Sequence, residues 1–399
     1  MNSNIAIRTF IYISVILPSG SIFGINVKML LLFVALCSLL QPKNKVVLFD
    51  LIKYSVPVLL VMSFIVLVTM IISNNDEYVM TQAKDIVVFF IFPCLIMSIC
   101  KDKSNISTII NTTINALVTA GFIKAIVIAY SFVSGMPVSE AVSLISSFFN
   151  VSIMSLDVDS SYLGRINFPS DAVLPIAIFM VMNKMMNGTS AKSDYLKIGI
   201  LFFSVLIGMS RFYWAATMVA MGFSLLLNIK SRKTILLAVL CFISLFYAST
   251  TEPVQNMVAA RFDSRNVDYS DGIRTTQLNH MMTRIDQSPM LGEGLGYYMP
   301  EYIRGYDAKY SYELQIPALV MQIGFTGVTL LLLLIITPVI SVVNGMAITK
   351  AFFILSMFSI WIASGFFNPV LFSSSGGVLY TMILLVGKHL KKQNRHSYN

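Results

Sequence analysis

Apolar residues arrive along this chain in long runs broken by short polar turns. Reading those runs by length and interruption gives twelve candidate helices, at 5–20, 26–40, 55–72, 85–100, 114–134, 172–186, 196–209, 212–227, 234–248, 316–343, 351–367 and 370–387. A helix that crosses a bilayer needs roughly 20 mostly apolar residues, and a helical bundle leaves no backbone group unpaired in hydrocarbon. The pattern therefore predicts an all-α, polytopic membrane protein, with a single membrane domain over residues 1–399. Several runs are short, which calls for tilt or local thinning of the bilayer. The first run is followed closely by a second and lacks a small-residue cleavage site, so it reads as a retained helix.

Composition supports this: 56% of the 399 residues are hydrophobic and 12% charged, against about 25% charged in a soluble domain. A net charge of +9 would suggest nucleic acid in a soluble protein. Here the basic residues sit in the turns between apolar runs, where they set orientation and imply no nucleic-acid partner. One set of turns carries Lys43, Lys45 and Lys53; Lys101 and Lys103; Lys184, Lys192 and Lys197; Lys230, Arg232 and Lys233; Lys350; and the tail Lys388, Lys391, Lys392 and Arg395. The opposite short turns carry Asp76 and Glu77 or almost no charge. The expected topology puts both termini in the cytoplasm and leaves two long segments outside, 135–171 and 249–313. Cys37, Cys94, Cys100 and Cys241 fall in or beside apolar runs without CxxC spacing and read as buried free thiols.

In the second outward segment, Ser270 or Asp271 can cap a helix whose apolar positions are Ile273, Leu278, Met281 and Ile285 and which Pro289 follows. In the first, 141–155 is apolar but short and rich in Ser and Asn, as suits an interfacial stretch. No internal repeat marks the two halves of an inverted-repeat transporter.

Charge near the membrane calls for a reason, since an ionised group costs roughly 2.5–3.5 kcal/mol at a helix centre on insertion scales. Three outward arginines stand out: Arg165 ahead of the sixth run, Arg211 squeezed between the seventh and eighth, and Arg274 in the expected first turn of the loop helix. There, free backbone N–H groups and the helix dipole favour an anion. Each alone also fits an interfacial arginine that snorkels or meets lipid phosphate. Three together suit a diphosphate headgroup, because guanidinium is permanently charged and forks onto phosphate oxygens. Lys124, in the middle of the fifth run with no acidic residue in that run, either faces a substrate cavity or snorkels. Glu313, at the membrane boundary before the tenth run, is the candidate general base, with a solvated loop acid as the plain reading. Gly292, Gly294 and Gly296 lack the strand and following helix of a dinucleotide site and suit a tight turn against the bundle. His280, His389 and His396 are scattered, no metal-ligand pair or phosphate loop is present, and no cofactor is expected.

Taken in order, Gly164-Arg165-Ile-Asn-Phe-Pro169, Ser210-Arg211, Arg274, Pro289-x-x-Gly-x-Gly294 and Gly324-x-x-Gly327 resemble the O-antigen polymerase and O-antigen ligase superfamily of bacterial envelope glycosyltransferases. The resemblance covers 164–334. It implies a GT-C-like membrane fold in the bacterial inner membrane and an undecaprenyl-diphosphate-linked oligosaccharide substrate on the periplasmic face. It also implies that Arg211 and Arg274 hold the diphosphate with Arg165 lining the same cavity, and that a flippase and a chain-length regulator are protein partners. Ligases of the superfamily place His-Asn before the Gly-x-x-Gly span, where this chain has Tyr310-Ser-Tyr-Glu313. The expectation is a metal- and nucleotide-independent repeat-unit polymerase. Its rivals are an O-antigen ligase and a transporter of lipid-linked oligosaccharide or small solute, which twelve spans would also fit.

Overall fold

A computed structural model describes residues 3–17, 22–23, 25–73, 77–151, 153–157, 164–229, 250, 255, 264–306 and 308–394. The described chain is mostly helical. In order the helices are α1 (Ser3–Ile16), α2 (Val27–Leu39), α3 (Lys45–Ile72), α4 (Val79–Ile99), α5 (Lys103–Ser134) and α6 (Val138–Phe149). A hairpin follows, β1 (Met154–Asp157) and β2 (Gly164–Asn167), and then α7 (Leu174–Met186), α8 (Lys192–Ile207), α9 (Arg211–Leu227), α10 (Ser264–Gln287), α11 (Gln315–Val343), α12 (Ile348–Ser364) and α13 (Ser374–Asn394).

Eleven of the twelve expected helices coincide with observed ones; the run at 234–248 lies outside the described residues. Four described segments are long and apolar enough to cross a membrane: Pro42–Ile72, Val79–Ile99, Lys103–Ser134 and Gln315–Val343. Shorter apolar helices accompany them, among them α1, α2, α9 and α12. The expectation of a wholly helical chain is corrected by the antiparallel hairpin, in which Met154 pairs with Asn167 and Asp157 with Gly164. Its cause is a period of two: Gly164, Ile166 and Phe168 point inward while Arg165 and Asn167 are partly exposed. Cys94 and Cys100 are buried free thiols as expected, whereas Cys37 is exposed on its helix and Cys241 is not described.

The chain divides into two compact units, one of Met1–Gln41 with Ser107–Val267, the other of Pro42–Ile106 with Asp268–Asn399. In the first unit, α5 passes close to α8 at Gly121, where an added Cβ would lie 2.8 Å from Ile200. Val138, Ala141 and Val142 of α6 pack with Ala120, Val127, Ile166, Phe168 and Ile207, leaving Leu144, Phe148 and Phe149 exposed.

In the second unit, Phe89 of α4, Trp361 of α12 and Tyr380 of α13 stack with centroids 5.2–5.7 Å apart, and the Tyr380 hydroxyl donates to the Ile335 carbonyl at 2.7 Å. Lysine-bearing ends gather here: Lys392 donates to the Lys101 carbonyl at 2.6 Å, Lys391 to that of Asn344 at 2.5 Å and Lys350 to that of Leu390 at 3.3 Å. Lys101 also pairs with Asp50. Asp85, in the other half of α4, lies fourteen positions from Ile99 at the lysine-bearing end, roughly 21 Å along the helix.

α11 is not continuous. Gly324 takes φ 64°, ψ 177°, and interrupts it. The backbone groups freed by the break are taken up by 289–294: Phe325 N–H donates to the Pro289 carbonyl (2.9 Å) and Thr326 to Met290 (3.2 Å), while Glu293 donates to Met321 (2.9 Å) and Gly294 to Gln322 (2.7 Å). Non-helical backbone at membrane depth persists only when so satisfied. Gly292, at φ +71°, sits where a Cβ would lie 2.6 Å from the Gln322 backbone, which bears out the reading of the glycine triplet as a tight turn against the bundle.

Candidate functional site

Within the first unit, the chain reaches α7 through a turn of 3-10 helix at Pro169–Val173 that is tied down from below. The Asp171 carboxylate accepts the Phe168 N–H at 2.9 Å and the Lys124 ammonium at 2.6 Å through the same oxygen. Lys124 also donates to the Ser204 hydroxyl of α8 at 3.1 Å and lies 5.1 Å from the centre of the Phe168 ring. Lys124 and Asp171 are 0% and 1% exposed. The expectation that Lys124 meets substrate is therefore corrected: its ammonium is closed off and neutralised by a carboxylate 47 residues along the chain. It neither snorkels nor faces an open cavity.

Arg165 stands on β2 above this pair. Its Nε donates to the Gly208 carbonyl at 3.2 Å, tying the hairpin to the turn between α8 and α9. That turn is tight, with Met209 at φ 43°, and it delivers Arg211 as the first residue of α9. Ser210 caps no N–H there with its side chain. The Arg211 side chain is partly exposed and has no ion pair or hydrogen bond among the described residues. Arg165 and Arg211 thus approach one turn of chain, at the end of α7 and α8 opposite Lys184, which pairs with Asp194 at 2.8 Å.

In the second unit, α10 begins at Ser264, so Arg274 lies about three turns into the helix. The expected place of Arg274 in a first turn is corrected by this earlier helix start, and Arg211 is the arginine that occupies a first turn. α10 is seated by Met281 and Ile285, which pack with Met299, Tyr312, Leu314 and Met321. Gln277 accepts the Leu314 N–H at 3.0 Å, fixing the helix against the start of α11. Glu313, the neighbour of Leu314, is thereby brought to Arg274. Its Oε2 lies 3.3 Å from Arg274 Nε and its Oε1 accepts from Arg304 Nη2 at 2.7 Å. Arg274 also pairs with Asp271 at 2.9 Å, and its guanidinium carbon lies 5.8 Å from the Phe367 ring centre.

Beside these groups, the Tyr310 hydroxyl donates to Asp85 at 2.7 Å, and burial together with that carboxylate holds its proton well above the ordinary tyrosine range. Gln322 donates to the Tyr297 and Tyr310 carbonyls at 2.9 and 3.0 Å and accepts from Gln82 at 2.6 Å, linking the loop to the interrupted helix. Arg284 and Glu301 pair at 3.1 Å; the hydrogen bond raises the arginine further, while the Glu301 backbone N–H and Arg284 hold the carboxyl low. Arg304 is the member that sequence reading missed. It lies in no motif, and only its contact with Glu313 marks it.

Chemically, both units offer guanidinium groups at the end away from their lysine-bearing turns, a disposition suited to anions. Among the described residues no group of three His, Cys, Asp or Glu side chains is placed to hold a metal ion. In comparison with known proteins, residues 198–332, about a third of the chain, match the family model for O-antigen ligase. No curated protein matches the chain. The match begins in α8 and ends in α11, so it takes in Arg211, Arg274, Arg304, Glu313 and the Gly324 break but not Arg165 or Lys124.

Proposed function

Taking the O-antigen ligase/polymerase superfamily as the chain's family, on the match over 198–332, we propose that it polymerises polyprenyl-diphosphate-linked oligosaccharide repeat units. The product would be O-antigen or a related surface polysaccharide. The work would take place on the periplasmic face of the bacterial inner membrane, with the lysine-bearing ends cytoplasmic and the shorter apolar helices crossing tilted. The observation that carries the reading is Arg211: a cation in the first turn of α9, unpaired among the described residues, beside the turn that Arg165 fastens. Free N–H groups and a guanidinium fork there favour phosphate oxygens.

In the transfer, the acceptor sugar hydroxyl attacks the anomeric carbon of the donor glycan. The new C–O bond forms as the bond to the diphosphate breaks, the electron pair leaves with the diphosphate, and the hydroxyl proton goes to a base, for which Glu313 is the candidate. Each unit offers a cation to neutralise a leaving diphosphate, Arg211 in the first and Arg274 in the second, and little further protein chemistry is required. Arg165 stands beside Arg211, and Lys124 acts from beneath, holding the Phe168–Asp171 turn. Polymerase is preferred to ligase because Tyr310-Ser-Tyr-Glu313 stands where ligases place His-Asn.

Purified full-length protein supplied only with lipid-linked repeat units is expected to lengthen them without nucleotide or added metal. Arg211→Ala should abolish elongation at an unchanged protein level. Near-normal chain lengths from that variant would refute the diphosphate role, and transfer only to a lipid A–core acceptor would make the chain a ligase.

A further inference from the structure

We propose that Glu313 is an internal stand-in for phosphate: it occupies the anion position of Arg274 and Arg304, and a diphosphate displaces it on binding. This deepens the polymerase reading and rests on it. The two guanidinium groups come from different elements, α10 and the loop before α11, yet converge on one carboxylate, each taking a separate oxygen at 3.3 and 2.7 Å. Carboxylate and phosphoryl oxygens present the same two-acceptor face to a guanidinium fork, so a place that fits one fits the other.

Three details distinguish this set from a structural ion pair. Arg274 Nε is buried and has no hydrogen-bond partner among the described residues, because its approach to Glu313 is close but out of line. A buried donor left unspent is costly, and a second anion with better-placed oxygens would take it up. The side chains of Arg274, Arg304 and Glu313 are 23%, 37% and 24% exposed, open to an incoming ligand in a way that Lys124 and Asp171 are not. The Phe367 ring steadies the Arg274 guanidinium without consuming a donor.

Charge then sets the order of events. Arg274 and Arg304 are balanced at rest by Glu313 and Asp271, so the set carries no net charge with which to draw a diphosphate. Asp271 is 59% exposed and its hold is weakened by water, which leaves Glu313 as the competitor to be displaced. Once displaced, its carboxylate is free beside a bound donor and takes the acceptor's proton. The base is thus released only when there is a donor to attack. Arg304 is the second anion-gripping residue at this position.

The test uses full-length protein in nanodiscs, with inorganic pyrophosphate as the probe and undecaprenyl diphosphate in the same bilayer as competitor. Glu313→Gln is expected to bind pyrophosphate on the order of tenfold more tightly, the equivalent of two partly exposed ion pairs released, while kcat for elongation falls. Glu313→Asp, which keeps the charge but withdraws it by one methylene, should shift affinity the same way by less. Arg304→Ala and Arg274→Ala should weaken binding, and undecaprenyl diphosphate should displace the probe. Equal or weaker pyrophosphate binding by both Glu313 variants overturns the stand-in role, as does wild-type affinity in Arg304→Ala. Failure of the lipid to compete would assign the site to a soluble anion and overturn the link to donor binding. Wild-type affinity in Arg274→Ala overturns the stand-in role likewise, whereas the polymerase reading stands or falls on elongation by the parent protein and its loss in Arg211→Ala, so the two failures are distinguishable.

Discussion

Breaking the Lys124–Asp171 pair offers the sharpest check on the first unit. In Lys124→Met the side-chain volume is nearly kept, so the dominant effect is electrostatic: a carboxylate 1% exposed loses its counter-charge and retains only the Phe168 N–H and the more distant Arg165. Removing one partner of a buried pair costs about 3–5 kcal/mol. At roughly 2–4 °C per kcal/mol for a unit of this size, the midpoint of thermal inactivation should fall on the order of 10 °C. Asp171→Asn alone should cost a similar amount, because the Lys124 ammonium then keeps only the Ser204 hydroxyl and an amide. The double variant Lys124→Met/Asp171→Asn leaves no buried charge, and the amide oxygen that replaces the carboxylate still accepts the Phe168 N–H. It should therefore melt within a few degrees of the parent, since replacing both partners is about neutral. Heating detergent-solubilised full-length protein and measuring what survives size exclusion reads all four proteins. A Lys124→Met midpoint within about 2 °C of the parent, or a double variant no better than the singles, would show that the buried pair does not hold the turn. Elongation should persist in the double variant, since Lys124 acts through the turn it holds.

The interrupted helix makes a second prediction: Gly324→Ala should not accumulate, because its Cβ would lie 2.2 Å from the Met290 carbonyl oxygen at φ +64°, a backbone clash added to about 1–3 kcal/mol of conformational strain. Gly222→Ala, in α9 with open space around it, is the control and should gain up to about 1 kcal/mol; protein yield and melting midpoint read both. Tyr312→Phe should cost about 1–3 kcal/mol in melting measurements, since the Met299 N–H, which donates to the 1% exposed Tyr312 hydroxyl at 2.7 Å, would be left buried and unpaired. A Tyr312→Phe protein as stable as the parent would show that this N–H finds another acceptor.

Hydropathy located the helices well because burial in lipid is a property of a run of residues. It did not locate their ends: α3 begins at Lys45 rather than 55, since Lys45, Asp50 and Lys53 continue the same helix beyond its apolar stretch. β1 and β2 escaped because their alternation is only four residues long, though Ile166 and Phe168 at a spacing of two carried the signal. The arginines were visible as charges out of place; their partners were not. Asp171 reaches Lys124 from 47 positions away, and Arg274 meets Glu313 only because Gln277 fixes α10 against Leu314. Gly324-x-x-Gly327 was legible as a motif, whereas the break in α11 depends on 289–294 arriving to satisfy it.

That arrangement fixes an order of manufacture. The Pro289 and Met290 carbonyls and the Glu293 and Gly294 N–H groups are translated before the segment they complete, and in the proposed topology they are exported before it as well. When the later helix enters the bilayer, its two loose carbonyls and two loose N–H groups would each cost several kcal/mol in lipid. The glycine turn already outside is the template onto which that helix zips. The chain thus completes its interrupted helix last, against a latch already in place, and in the proposed topology a delay in exporting 249–313 would strand a half-built helix for quality-control proteases to find.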